Sequence, residues 1–149
     1  MSEKMSEIRE FKRRTTPKQR ARQQEIIRQT TSLLGIHGAG VSMEMVGESA
    51  QVSRSTLYRY YASREHLIAE VTLEAGNSPI RYLEVNPPDG ATLGARISHL
   101  CNKITLMAES NPNLLAACIA NLSSNDPAVV DTFIEIEQLI PRFFQTVLG

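Results

Sequence analysis

Arg54, Ser55, Thr56, Tyr58 and Arg59 follow Ser53 within seven residues, and none of these side chains is acidic. Guanidinium, hydroxyl and phenol groups at that density can bond guanine edges and phosphate oxygens and touch thymine methyls. The same stretch carries Val52, Leu57, Tyr60 and Tyr61 at helical spacing. A helix capped by Ser53 would therefore bury one face and offer the other to a polyanion.

A second short helix must hold that one in place. Ser42 is its N-cap, Glu44 and Glu48 suit its positive end, and Met43, Val46, Gly47 and Ala50 give it an apolar face. Gly47 fits a close crossing, Val52 seals the turn, and Leu57 fills the angle between the two helices. This is the logic of a helix-turn-helix, whose second helix enters the DNA major groove. Short motifs of this kind also occur by chance in ordinary bundles, so the flanks carry weight.

The flanks agree. Net charge over the 149 residues is zero, but it is unevenly divided. Residues 1–64 hold 12 Lys/Arg against 6 Asp/Glu, a net +6, while residues 65–149 hold 4 against 10, a net −6. A basic half joined to an acidic half fits nucleic-acid binding by one end. Hydrophobic content of 42% supports a packed core, which must be mainly aliphatic because aromatics are only 5%. No apolar run reaches the roughly 18–20 residues of a membrane span, and no apolar signal segment opens the chain. Cys101 and Cys118 are too few for a disulfide scaffold and suit a reducing cytosol. The expected location is cytoplasmic.

Residues 1–16 read as a flexible basic arm, and Lys12 to Arg22 contains six basic residues and no acid. Such an arm follows phosphates or enters a minor groove, or is simply a solvated tail. Thr16-Pro17 predicts a helix start, with Ala21, Ile26, Ile27, Thr30, Leu33 and Leu34 as the buried stripe. Gly35 to Gly40 predicts its end at Leu34. After the reading helix, Ser63 starts another, with Leu67, Ile68, Val71 and Ala75 facing inward. Gly76-Asn77-Ser78-Pro79 predicts its stop and opens a hinge-like connection over residues 76–92. Leu93, Ile97, Leu100, Ile104 and Met107 mark an amphipathic helix, and Leu114, Leu115, Cys118, Ile119 and Leu122 a second. A third runs from Asn125-Asp126-Pro127 through Phe133, Phe143 and Phe144, with a kink at Pro141.

The run from Val52 to Leu67, V-S-x-x-T-L-Y-x-Y-aromatic-x-S-basic-x-x-L, resembles the N-terminal domain of the tetracycline-repressor (TetR) family of bacterial transcription regulators. The likeness covers about Pro17 to Ala75. Two positions depart from it: Gln51 stands where the family usually has Gly in the turn, and Arg64 replaces the usual Lys. The resemblance implies an all-α chain. It would have a three-helix DNA-binding domain over residues 17–76 and a helical ligand-binding and dimerisation domain over residues 77–149. Members of the family usually continue with two more long helices, so this second domain is expected to be incomplete.

The resemblance also implies roles. Ser53 would cap the reading helix, and Arg54, Ser55 and Thr56 would face base edges, with Arg54 the bidentate reader of guanine. Tyr58, Tyr60 and Arg64 would grip phosphates, Arg59 could do either, and Ser42 and Met43 would set the preceding helix against the backbone. Leu57, Tyr61 and Leu67 are expected in the core. A small-molecule effector would sit among Leu100, Ile104, Met107, Cys118 and Phe133, although spacing alone reads Met107, Cys118 and Phe133 as simple core. The implied partners are double-stranded DNA, a second copy of the chain and possible effector, with no membrane and no cofactor. Operation as a ligand-responsive repressor is the implied mechanism.

Catalysis finds little support. There is no glycine-rich phosphate loop, no G-x-S-x-G and no zinc-spaced histidine pair. His37 reads as a packed loop residue, His66 and Glu70 as an exposed surface pair, and His99 and Cys101 point to different sides of a helix. The competing class is a helical protein-interaction module, supported by apolar positions near the C-terminus. A recombinase-type DNA-binding domain is a further alternative, without an accompanying catalytic segment.

Overall fold

The computed structural model describes residues 3–86 and 92–148. Among them the chain forms helices α1 (Glu3–Arg13), α2 (Pro17–His37), α3 (Met43–Ala50), α4 (Arg54–Tyr60) and α5 (Arg64–Val85). These are followed by α6 (Leu93–Ser110), α7 (Pro112–Asn121), α8 (Pro127–Glu137) and α9 (Leu139–Leu148), and no strand occurs among the described residues.

Local chemistry explains most boundaries. At α2 the Thr16 hydroxyl accepts the Gln19 N–H at 3.2 Å, while Gln19 Oε1 accepts the Thr16 N–H at 2.8 Å. This reciprocal cap, with Pro17 at the first helical position, satisfies donors that have no partner inside the helix. Helix α2 runs on through Gly35 to His37, three residues past the expected end, and stops where Gly38 adopts φ 55°. Gly35 serves packing instead, since a Cβ there would lie 2.8 Å from Asn111 Oδ1.

The central core joins Ile26 and Leu34 of α2, Val46 of α3, Leu57 of α4 and Leu67, Ile68 and Val71 of α5. Helix α5 is the axis of the molecule, packing against α2, α6, α7, α8 and α9. Side chains from later in the chain also fasten onto the first half. Asn113 Nδ2 donates to Gly35 O at 3.0 Å, and Asn121 Nδ2 donates to Glu65 O at 2.9 Å.

Four expectations are corrected here. Residues 3–13 of the supposed flexible arm are helical. A helix of this length is marginal alone, but Ile8 packs against Ala128 and Ala62, and Arg9 pairs with Asp131 at 2.8 Å. Secondly, α5 does not stop at Gly76–Pro79 but continues to Val85. Pro79 forgoes one backbone hydrogen bond, yet Pro79, Ile80 and Leu83 are buried, and Arg142 bonds both Asn77 and Glu84. Gly76 admits α9, because a Cβ there would approach Leu139 Cδ1 to 2.8 Å. The expected connection over 76–92 therefore loses its first ten residues to the helix, and residues 87–91 of it lie outside those described.

Thirdly, the last helix is not kinked at Pro141 but divided at Gln138. Pro141 falls in the first turn of α9, where its missing N–H costs nothing. Finally, His66 is not a surface residue: it is 1% exposed. Its Nδ1 accepts the Ala62 N–H at 3.0 Å, so in the neutral ring Nε2 carries the proton and faces Glu70 Oε1 at 3.3 Å.

Candidate nucleic-acid interface

Helices α3 and α4 form a tight corner. Ser42 Oγ accepts the Met45 N–H at 3.2 Å and starts α3; Ser53 Oγ accepts the Thr56 N–H at 3.2 Å and starts α4. Between them Gln51 adopts φ 54° and ψ 45°, the left-handed conformation its place in the turn demands. Val52 then donates its N–H to Gly47 O at 2.9 Å, and a Cβ on Gly47 would stand only 3.1 Å from Val52 O. The turn thus closes directly over the glycine. Ser49 Oγ donates to Gln29 Oε1 at 2.6 Å, fixing α3 to α2.

The reading face follows from this corner. Leu57 and Tyr60 are buried beneath α4, while Ser53, Arg54, Ser55 and Arg59 are exposed and Thr56 and Tyr58 half-buried. The Arg54 guanidinium lies 5.6 Å from the centre of the Tyr58 ring, a cation–π distance that restrains a long side chain. Ser42 and Met43 are half-buried at the start of α3 and border a cleft of about 350 Å³ shared with Arg54 and Tyr58. Glu44 and Glu48 line the same cleft. Their carboxylates disfavour phosphate there and leave that role to the basic residues around it.

Two residues expected at phosphates are engaged elsewhere. Tyr60 is 3% exposed, and its ring stands edge-on to Phe11 at 5.0 Å, so it is a core residue. Sequence spacing had already put Tyr60 on the apolar face, and burial decided between the two readings. The half-buried Arg64 donates through Nε to Val41 O and through Nη2 to Ala39 O at 2.7 Å. Its guanidinium ties the start of α5 to the turn before α3.

Helix α1 adds contacts that the sequence reading did not include. The Lys4 ammonium sits 5.5 Å from the Tyr58 ring centre, and Arg59 sits 5.1 Å above the Phe11 ring. The available signal was the spacing of Met5, Ile8 and Phe11, each three residues from the next in a mostly polar segment. Arg13, Arg14, Lys18, Arg20 and Arg22 are exposed along α1 and the first turns of α2.

The five residues expected around an effector differ in burial. Leu100 is fully buried against Leu83 and Phe143. Cys118 is buried, and that burial pushes its thiol pKa up against the opposing effect of a bond to Thr72. Phe133 is half-buried, whereas Ile104 and Met107 are exposed. A larger cleft of about 540 Å³ opens elsewhere, between α2 and α5, beside Ile27, Arg28, Glu70 and Glu74. No group of three or more metal-binding side chains occurs among the described residues. No helix among them is long and apolar enough to cross a membrane.

A capped, acid-free helix set across its neighbour by a sealed turn defines the helix-turn-helix class of DNA-binding domain. Residues 26–71 match the family model described as "Bacterial regulatory proteins, tetR family". Over 93 residues the chain is 33% identical to proteins named uncharacterized HTH-type transcriptional regulators in Mycobacterium tuberculosis and Mycobacterium bovis. Those matches cover 61% of this chain and 42% of each relative. It is also 26% identical over 127 residues to the HTH-type transcriptional repressor KstR of Mycobacterium tuberculosis, covering 85% of this chain and 58% of that protein. The chain thus spans well under two thirds of the length of the curated relatives it matches.

Proposed function

We propose that this protein is a sequence-specific DNA-binding transcriptional regulator, a binding protein and not a catalyst, that reads an operator with α4. The observation that carries the reading is the division of α4 into two faces. Leu57 and Tyr60 anchor it, and Arg54, Ser55 and Arg59 are left outside with no acidic side chain on the helix. Arg54 is the reader of a guanine edge, Ser55 and Thr56 approach neighbouring bases, and Tyr58 and Arg59 reach phosphates.

Two copies acting as a homodimer would set their α4 helices in successive major grooves, about 34–36 Å apart, on a palindromic site. We propose that residues 17–76 form the DNA-binding unit and residues 77–149 the regulatory part, with repression relieved by a small molecule. Helix α5 supports that coupling, because it begins at the Arg64 contacts and runs unbroken to the Arg142 contacts on α9. The two free thiols, Cys101 and Cys118, suit action in the cytoplasm.

The test is a salt titration of labelled duplexes selected from a random pool by the wild-type chain. A regulator loses affinity steeply with salt, and Arg54→Ala costs about 1–3 kcal/mol, concentrated at one base position. The competing reading, a helical protein-interaction module, draws on the exposed apolar side chains Leu106, Ile119 and Phe144. Equal binding by wild type and Arg54→Ala would favour it.

A further inference from the structure

We propose that α1 is a strut between α8 and the reading helix, and that Phe11 and Arg9 are positioning residues for the DNA-contacting side chains of α4. This rests on the reading of α4 as the DNA-binding helix.

The contacts divide between two neighbours. Toward α4, Phe11 meets Tyr60 edge-on at 5.0 Å and carries the Arg59 guanidinium at 5.1 Å, while Lys4 covers the Tyr58 ring at 5.5 Å. Toward α8, Ile8 packs on Ala128 and Arg9 pairs with Asp131 at 2.8 Å. Ile8 is 4% exposed, so this is an anchored helix and not an arm resting on a surface.

The consequence is mechanical and electrostatic together. Arg59 has many rotamers, and ordering such a side chain on binding costs affinity. The Phe11 ring removes part of that freedom beforehand. The Lys4–Tyr58–Arg54 stack does the same for the residue assigned to guanine. Because α1 is itself fixed by Asp131, the placement of Arg59 depends on where α8 sits. A displacement of α8 thus reaches α4 without passing along α5.

The experiment compares full-length wild type, Asp131→Asn, Phe11→Leu and the double variant on two probes. One probe is a duplex selected by the wild-type chain; the other is an unrelated duplex of equal length. Phe11→Leu keeps the apolar contact and removes the aromatic face. Each single substitution should weaken binding of both duplexes by about two- to fivefold, because Arg59 is assigned to phosphates, which every sequence presents. The double variant should be no weaker than Phe11→Leu alone, since both cut one path. Hydrogen exchange in Asp131→Asn should quicken in α4 while α2 stays unchanged, which a general loss of stability would not produce.

Fold-changes that multiply in the double variant would overturn the strut. So would an unchanged Asp131→Asn in an assay where Arg54→Ala is weakened. If Arg54→Ala also binds like wild type, the DNA-reading assignment fails and the strut falls with it.

Discussion

Ser63 and Asp126, 63 positions apart in the chain, are joined by a hydrogen bond of 2.7 Å from Ser63 Oγ to Asp126 Oδ2. Each is also the N-cap of its own helix, Ser63 accepting the His66 N–H at 3.1 Å and Asp126 Oδ1 accepting the Ala128 N–H at 2.9 Å. The start of α5 and the start of α8 are therefore secured by a single polar pair. Ser63→Ala should lower unfolding free energy by about 1–2 kcal/mol, as loss of a cap and its partner requires. Asp126→Ala should cost a similar amount, and the double substitution less than the sum, read by urea denaturation.

Gln51 carries a left-handed backbone at φ 54° with a side chain that disfavours it. Gln51→Gly should raise stability by about 0.5–1 kcal/mol, measured as a higher urea midpoint with unchanged slope. A lower midpoint would mean that the side chain contributes more than the strain removes.

Arg64 donates to the carbonyls of Ala39 and Val41. Arg64→Ala should cost about 1.5–3 kcal/mol of stability whether or not DNA is present, because two carbonyls lose a charged donor. Arg54→Ala, on an exposed residue, should stay within about 0.5 kcal/mol of wild type by the same measurement. A thermally unchanged Arg64→Ala with weakened DNA binding would return Arg64 to the phosphates.

The Arg142 guanidinium beside Glu84 holds that carboxyl below its ordinary value of 4.5. A carboxylate with a lowered folded-state pKa adds stability above its unfolded value, and that stability is lost as pH falls through the folded one. The docking of α9 on α5 should therefore weaken below about pH 4.5, the ordinary Glu value. Wild type and Glu84→Gln should differ in urea midpoint at pH 7 and converge as the medium is acidified. Glu25, lowered to about 2 by its bonds to Arg28 and Gln29, supplies a comparison within α2.

Local signals made much of this legible beforehand. Ser42, Ser53 and Ser63 cap α3, α4 and α5 as their types predict, because a cap needs only a side chain and the next turn. The strained place of Gln51 was legible only through the resemblance, since the family usually carries Gly there. What escaped depended on distant partners. The spacing of Ile8 and Phe11 is too faint to announce a helix over Glu3–Arg13 until Ala128 and Asp131 stand beside it. Pro79 looks like a stop until Ile80 and Leu83 are seen buried beyond it. His66 carries polar atoms suited to a surface, and only packing shows that it lies within.

A methyl group on Gly35 would stand 2.8 Å from Asn111 Oδ1, so the amide at the beginning of α7 would have to turn aside from α2. The missing side chain of Gly35 lets the Asn111 amide lie directly against the α2 backbone. With Asn113 also tethered to the Gly35 carbonyl, the start of α7 is seated on the end of α2 by two neighbouring amides, so a shift of either helix meets both.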